Sequence, residues 1–268
     1  MGRLEDALRR RREAGGRAFV PYVTGGYRGV DADLLRRLAD LGADAIEVGI
    51  PFSDPVMDGG VIQEASAAAL ASGATPSTVL ATIADAALEV PVAVMTYVNP
   101  VVRRGMARFV EDARAAGVSG LIVPDLPVDE ASDLEAEAAA RDLDLVLLAA
   151  PGTSVERLAE VGRRSRGFVY CVATYGVTGA RERLEDTARS LVDALRPHTD
   201  LPLLVGVGIG SPEQAAEACA FADGVVVGSA LMAGVVRGEA EGAIELASRF
   251  RAAIALDAGA SPATVHPV

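Results

Sequence analysis

The chain lacks several residue types on which common catalytic chemistry depends. Its 268 residues include no lysine and no tryptophan, and only two cysteines and two histidines. The absence of lysine argues against a Schiff-base aldolase. His198 and His266 fall at a helix end and in the C-terminal tail, so we do not expect imidazole catalysis. Cys171 and Cys219 lie in apolar segments without metal-ligand spacing, which predicts core packing in a reducing compartment and no metal site.

Positive charge and long apolar runs are also scarce. Twenty-five basic residues against thirty-seven acidic residues give a net charge of -12, which repels nucleic acid and anionic membrane surfaces. The first residues are charged and no apolar run is long enough to cross a bilayer, so we expect no signal peptide, no membrane span and a cytoplasmic protein. Residues 9–12 are all arginine, which we interpret as the solvated face of a leading helix over residues 3–13.

Short apolar segments alternate with amphipathic segments along the chain. The apolar segments are continuous Val, Ile and Leu runs, which is typical of parallel strands covered by helices. Eight strands are predicted, at residues 18–23, around Glu47, and at 92–96, 120–123, 144–149, 167–172, 203–206 and 224–227. Helices are predicted between them, at residues 31–41, 107–116, 130–141, 154–164, 184–196 and 212–220.

Eight βα units in this length predict a single closed (β/α)8 TIM barrel with an extra N-terminal helix. The barrel domain is expected over residues 1–257, and residues 258–268 are expected to form a disordered tail because they are rich in Gly, Ala, Pro, Ser and Thr. A doubly wound open sheet is the alternative. Residues 24–27, after the first strand, lack the glycine-rich nucleotide loop that such a sheet normally carries.

The strand around Glu47 holds the strongest candidate for chemistry. Side chains alternate along a strand, so Glu47 shares one face with the small residues Ala45 and Gly49. The other face carries bulky apolar residues that we expect to meet helices. Glu47 is therefore predicted to point into the barrel, where an ionised carboxylate is costly without a partner. The alternative is a glutamate at a strand end that simply reaches water.

Further polar residues follow the predicted strands. Asp54 and Asp58 lie in the loop after Glu47, and Tyr170 is predicted to point inward from strand six. Acidic groups and a tyrosine around one opening of the barrel indicate proton-transfer chemistry. Glycine-rich loops at residues 176–179, 206–210 and 228–229 follow the last three strands. In a barrel the loops after strands seven and eight commonly hold phosphate, and glycines let backbone N–H groups approach an anion, so the three loops together predict phosphate binding, with ordinary turns as the alternative.

These motifs together resemble the tryptophan synthase alpha subunit family, and the resemblance spans nearly the whole chain. The motifs are Ile-Pro-Phe-Ser-Asp-Pro-Val-Met-Asp-Gly at 50–59 after Glu47, Pro-Asp-Leu-Pro-Val at 124–128, Gly-Val-Thr-Gly-Ala-Arg at 176–181, Val-Gly-Val-Gly-Ile at 205–209 and Val-Gly-Ser at 227–229. The resemblance implies a lyase that cleaves indole-3-glycerol phosphate to indole and glyceraldehyde 3-phosphate without metal or organic cofactor. It also implies a beta subunit as partner, in an alpha2beta2 complex.

The resemblance assigns roles to individual residues. Glu47 is implied as the general acid and base, Asp58 as the carboxylate that accepts from the indole N–H, and Tyr170 as the aromatic residue beside the acid. The implied phosphate ligands are Gly179, Gly208, Gly228 and Ser229. Tyr22 and Tyr97 are implied to line the indole pocket, although they could equally be ordinary barrel aromatics. Asp54 and Thr178 are implied to link the loops after strands two and six when these close over substrate.

Departures from the family pattern fall in the same loops. Gly60 stands where the family commonly has Pro, and Val207 stands where Phe is frequent. Tyr175 belongs to a segment before Gly176 in which the family usually has a Ser or an Arg. These changes leave two alternatives beside the alpha subunit. One is a stand-alone lyase that releases free indole. The other is a non-catalytic barrel that binds a phosphorylated ligand as an allosteric partner, against which the intact Glu47 and Asp58 argue.

Overall fold

Eight parallel strands close into a barrel in sequence order, each paired with the next and the eighth with the first. The computed structural model describes residues 2–172 and 181–256. The strands are β1 Ala18–Thr24, β2 Ile46–Gly49, β3 Val92–Met95, β4 Val118–Ile122, β5 Asp144–Ala149, β6 Val169–Val172, β7 Leu203–Gly206 and β8 Gly224–Val227.

Twelve α-helices in the described residues surround the barrel. They are α1 Arg3–Glu13, α2 Ala32–Asp40, α3 Gly60–Ala71, α4 Pro76–Ala86, α5 Val98–Arg104, α6 Met106–Ala115, α7 Ser132–Ala139, α8 Val155–Arg164, α9 Arg181–Leu195, α10 Pro212–Cys219, α11 Ser229–Val236 and α12 Ala240–Leu256. Two short 3-10 helices, Val128–Glu130 and Arg196–His198, complete the secondary structure. The predicted barrel with an extra N-terminal helix is confirmed, whereas the predicted tail at 258–268 lies outside the described residues.

Element bounds differ from the predictions where local backbone geometry intervenes. Strand β6 begins at Val169 and not at residue 167, because Gly167 has φ of +81°, which an extended strand does not accommodate. Helix α7 is shorter than predicted because the chain first forms the 3-10 helix Val128–Glu130 and later turns at Asp142, where φ is 54°. The connections from β2 to β3 and from β3 to β4 each contain two helices, so they are longer than connections with a single helix.

The pairing register determines which side chains fill the barrel. Glu47 pairs with Tyr22 on one side and with Ala93 on the other, so these three side chains point inward at one level. Gly49 and Gly206 leave the space that Tyr22 and Tyr170 occupy, because a Cβ atom at either glycine would collide with the neighbouring tyrosine hydroxyl. The predicted inward orientation of Glu47 is confirmed.

Helix α1 covers the amino-terminal end of the barrel. Leu4 is fully buried and lies against Gly120, where an added Cβ would be 2.6 Å from its Cδ2. The Glu5 N–H donates to the Asp144 carboxylate at 3.1 Å. Because the first N–H groups of a helix lack partners within the helix, Asp144 stabilises the start of α1.

The arginine run of α1 is not a solvated face, so that prediction was wrong. Arg10 is exposed, whereas its three neighbours in the run are partly buried. Arg11 donates to Asp44 at 2.8 Å, and Arg12 lies 3.8 Å from Asp223. These carboxylates precede β2 and β8, so the run anchors α1 to the base of the barrel.

Two other expectations concern the core and membranes. Cys171 and Cys219 are buried in the core, as predicted. Among the described residues, no single helix has the length and apolar character needed to cross a membrane. Helices α3 and α4 have that length and composition only when they are taken together, and they are bent by 100° relative to each other.

The seam between β1 and β8 depends on Gly224. A Cβ atom there would overlap the Ala18 backbone and lie 2.6 Å from the Ala18 Cβ. We expect Gly224→Ala to lower the free energy of unfolding by about 1–3 kcal/mol, because strand backbone cannot move aside as a flexible side chain can. Denaturant unfolding measures this change.

The matched control is Gly242→Ala on α12, where the nearest atom to an added Cβ is Glu239 Cβ at 3.7 Å. That variant should be stabilised by about 0.5–1 kcal/mol because alanine restricts the unfolded chain more than glycine does. Equal effects of the two variants would contradict the steric account of the seam.

Candidate active site

The residues that the sequence singled out gather at the carboxyl-terminal end of the barrel. Glu47 belongs to β2, and Asp58 lies in the loop between β2 and α3. Tyr22 and Tyr170 point inward from β1 and β6, and Tyr97 follows β3 directly. Parallel strands bring their loops together at this end, which is where such barrels place their chemistry.

Glu47 is a buried carboxyl group without hydrogen bonds. Glu47 is 1% exposed, and among the described residues neither its Oε1 nor its Oε2 has a hydrogen-bond partner. Burial raises the pKa of Glu47 to about 8, and the negative charge of Asp58 adds to the increase. The group is therefore mostly protonated at neutral pH.

Asp58 is the second carboxyl group of the site and is less buried. Desolvation raises the pKa of Asp58 to about 6, while an interaction with the Tyr97 hydroxyl lowers it. At neutral pH Asp58 is mostly ionised while Glu47 keeps its proton. Two carboxyl groups whose pKa values are pushed apart can act as an acid and as a fixed anion in one reaction.

Two tyrosines complete the inner wall. Tyr22 lies with its hydroxyl 3.4 Å from the Thr24 Oγ1. Burial raises the pKa of both Tyr22 and Tyr170 well above that of a free phenol, and the charge of Glu47 adds to the increase for each. Both hydroxyls therefore stay protonated and can donate hydrogen bonds inside the barrel.

The loops after β7 and β8 present backbone N–H groups at the same mouth. Val207 has φ of 62°, which is strained for a β-branched residue, and Gly208 has φ of 103°. Gly228 caps α11, and Ser229 is its first residue. The free N–H groups and dipole of a helix N-terminus favour an anion here.

Three predicted loop residues, Gly179, Thr178 and Tyr175, lie outside the described residues. Asp54, the proposed partner of Thr178, is exposed and accepts a hydrogen bond from the Ser53 hydroxyl at 2.6 Å. In the described part of the chain, no three His, Cys, Asp or Glu residues are grouped so that they could hold a metal ion.

Sequence reasoning missed several residues that support the site. Phe52 stacks on Tyr97 with ring centroids 5.1 Å apart, and the Met57 N–H donates to the Tyr97 hydroxyl at 3.0 Å. Asp125 accepts the Val98 N–H at 2.8 Å. The Pro124–Asp125 motif was visible in the sequence, but its partner lies 27 residues earlier, so no local pattern indicated the contact.

Comparisons with known protein families and with curated proteins identify the same family. The family model described as tryptophan synthase alpha chain matches residues 8–258. The chain is 48% identical over 220 residues to the tryptophan synthase alpha chain of Prochlorococcus marinus, covering 80% of each chain. It is 43% identical over 259 residues to that of Halorhodospira halophila, covering 95% of this chain and 94% of the relative.

Solved structures are similar over the same range. Tryptophan synthase subunit alpha from Legionella pneumophila superposes with a TM-score of 0.87 at 32% identity, covering 95% of this chain and 98% of that one. A chain of tryptophan synthase from M. tuberculosis in its aminoacrylate-bound form gives a TM-score of 0.86 at 36% identity, covering 95% and 100%.

The raised pKa of Glu47 predicts how stability depends on pH. The folded chain keeps this proton up to about pH 8, whereas the unfolded chain releases it near 4.5, so the group's contribution to stability falls as pH rises between these values. Glu47→Gln removes the titration. Its free energy of unfolding relative to wild type should rise by about 1.4 kcal/mol per pH unit through that window and level off above it.

Denaturant unfolding at a series of pH values measures the difference. The control is Glu245→Gln, the same chemical change at an exposed position on α12. Its difference from wild type should stay flat, and an equally flat difference for Glu47→Gln would contradict the raised pKa.

Proposed function

The chain belongs to the tryptophan synthase alpha chain family, and we propose that it carries out the family's reaction with Glu47 as the general acid and base. It is a lyase that cleaves indole-3-glycerol phosphate to indole and glyceraldehyde 3-phosphate. The observation that supports the role of Glu47 most directly is its burial without a hydrogen-bond partner among the described residues.

Glu47 has the properties that the acid step requires. A proton delivered to indole C3 turns the ring into an electron sink for the carbon–carbon bond that breaks. Glu47 keeps its proton at neutral pH because burial raises its pKa to about 8. After donating that proton, its carboxylate is a strong enough base to take the proton from the glycerol hydroxyl.

Asp58 supplies the complementary charge. Protonation at C3 leaves positive charge on the indole ring, and a fixed anion that accepts the ring N–H stabilises this charge. Asp58 is mostly ionised at neutral pH, with a pKa of about 6. Tyr170, whose hydroxyl stays protonated, contributes a donor beside Glu47.

The phosphate is proposed to bind at the loops after β6, β7 and β8. Gly208, Gly228 and Ser229 would contribute backbone N–H groups there, and Gly179 would join them from the loop outside the described residues. This placement is supported by the N-terminus of α11, whose first N–H groups have no partner within the helix itself. Tyr22 and Tyr97 would then lie on the indole side of the pocket.

Alpha chains of this family work with a beta subunit. We propose an alpha2beta2 complex in which the docking surface includes Val56 and Val102. These valines are 77% and 55% exposed, and they follow the neighbouring strands β2 and β3 at the end of the barrel that holds the site. Exposed apolar surface of this kind typically marks an interface.

A stand-alone lyase remains the second candidate. Among the described residues, no atom lies within 4 Å of a Cβ added at Gly60, at the start of α3, so no described neighbour requires glycine there. It gives the β2–α3 loop more freedom than the common proline would. Fast indole release by the chain alone would favour this candidate.

The acid–base role of Glu47 is tested by Glu47→Gln, which keeps the shape of the side chain and removes its titratable proton. Indole release from indole-3-glycerol phosphate should fall by about 10²- to 10⁴-fold while the chain stays folded. The released indole is separated from the substrate by extraction and measured by its fluorescence, to which the protein adds no tryptophan signal. Glu245→Gln should leave the rate unchanged, and Glu47→Gln turnover within a few-fold of wild type would refute the role.

The partner proposal is tested by titrating a beta subunit into the indole-release assay. We expect slow turnover by the chain alone and a strong increase with the partner. Val56→Asp should raise the beta-subunit concentration needed for half-maximal stimulation by about tenfold or more, because docking would bury an unpaired charge. Ala252→Asp adds the same charge to the exposed side of α12 and should have no effect.

The same titration examines the proposed link between Asp54 and Thr178. Thr178→Val removes the hydroxyl that would join the two loops, so stimulation by the beta subunit should be weakened. Normal stimulation of this variant would show that the hydrogen bond does not report loop closure to the partner.

A further inference from the structure

Asp125 holds the start of helix α5 from a different loop. It lies after β4, and its Oδ1 accepts the Val98 N–H at 2.8 Å. Tyr97 is the capping residue of α5 but makes no side-chain cap hydrogen bond of its own. Since the first N–H groups of a helix favour a negatively charged acceptor, Asp125 fixes where α5 begins.

Tyr97 directly precedes Val98, so the contact with Asp125 also positions Tyr97. Tyr97 in turn contacts the loop between β2 and α3 at two points. Its buried ring stacks on Phe52 at a centroid distance of 5.1 Å and an interplanar angle of 28°. Its hydroxyl accepts the Met57 N–H at 3.0 Å. Asp58 follows Met57 directly, so the position of the Asp58 carboxyl depends on where Tyr97 lies.

The Tyr97 hydroxyl also affects the charge of Asp58. The Met57 N–H occupies only one lone pair of this oxygen, so the hydroxyl proton is free to point toward Asp58. The interaction lowers the pKa of Asp58 against the opposing effect of burial. The negative charge of Asp125 in turn helps to raise the pKa of the Tyr97 phenol.

We propose that Asp125 is a positioning residue that acts through α5 and Tyr97 to hold Asp58 in place beside Glu47. The inference rests on the proposed role of Asp58 in the cleavage reaction. Asp125 itself does not contact the reacting atoms. Tyr97 is accordingly a support for Asp58 in addition to a wall of the indole pocket.

A purely structural cap would look similar but behave differently. Asp31 accepts the Leu34 N–H at 3.0 Å at the start of α2, and no hydrogen bond or ion pair among the described residues joins it to Asp58. Loss of either cap should cost a similar amount of stability. Only loss of Asp125 should change catalysis, which makes Asp31→Ala the matched control.

The experiment compares wild type with Asp125→Ala, Asp125→Asn, Tyr97→Phe and the Asp125→Ala/Tyr97→Phe double variant. Asp125→Ala and Tyr97→Phe should each lower kcat for indole release by about tenfold, with a much smaller change in KM. Asp125→Asn should retain most activity because its amide oxygen still accepts the Val98 N–H. Asp31→Ala should lower Tm like Asp125→Ala and leave kcat unchanged.

The double variant identifies the route of the effect. If Asp125 acts through Tyr97, the double variant should be no slower than the slower single variant. Multiplied losses, an unchanged kcat for Asp125→Ala, or no rescue by Asp125→Asn would each overturn the proposal.

A second measurement does not depend on turnover. The ¹³C carboxyl resonance of Asp58, assigned with Asp58→Asn, should titrate at higher pH in Asp125→Ala and in Tyr97→Phe than in wild type. An unchanged Asp58 titration in Asp125→Ala would overturn the inference even if the wild-type chain cleaves no substrate. Wild-type inactivity with the shifted titration would instead count against the proposed function alone.

Discussion

The cost of removing a carboxyl group from water governs the arrangement of this site. Glu47 is buried at a level where its neighbours Tyr22 and Ala93 provide no charge to offset its ionisation. The result is a neutral acid at neutral pH. Asp58 can then serve as the anion only because it is less buried and interacts with the Tyr97 hydroxyl. The difference between the two carboxyl groups arises from burial, from the hydrogen bond of Asp58 with Tyr97 and from the effect of the Asp58 charge on Glu47.

The barrel makes room for this difference by placing small residues around large ones. Gly49 and Gly206 accommodate the rings of Tyr22 and Tyr170, so two aromatic walls fit into a narrow interior. Those rings contribute to the burial that keeps the Glu47 carboxyl group protonated at neutral pH. Packing and electrostatics are therefore not separate features here, because the glycines that admit the tyrosines indirectly set the protonation state of Glu47.

Much of this architecture could be predicted from the sequence because its signals are local. Strand periodicity was sufficient to orient Glu47, and eight alternating units were sufficient to predict the barrel. Contacts between residues far apart in sequence were not predictable. The arginine run of α1 looked solvated because its partner Asp223 comes from the distant start of β8. The contact between Asp125 and Val98 likewise joins two loops whose proximity exists only after β3 and β4 have paired.

The two ends of the barrel use the same residue type in opposite ways. At the amino-terminal end, Asp44 and Asp223 are paired with arginines, and Asp144 accepts an N–H group of α1. These carboxylates are satisfied in the folded state and secure the closing helix. At the other end, Glu47 has no partner among the described residues. A positively charged or hydrogen-bond-donating partner at Glu47 would stabilise its charged form and favour loss of its proton at neutral pH. The proposed acid role of Glu47 therefore depends on a carboxyl group that has no partner among the described residues, whereas the carboxylates at the base of the barrel are paired.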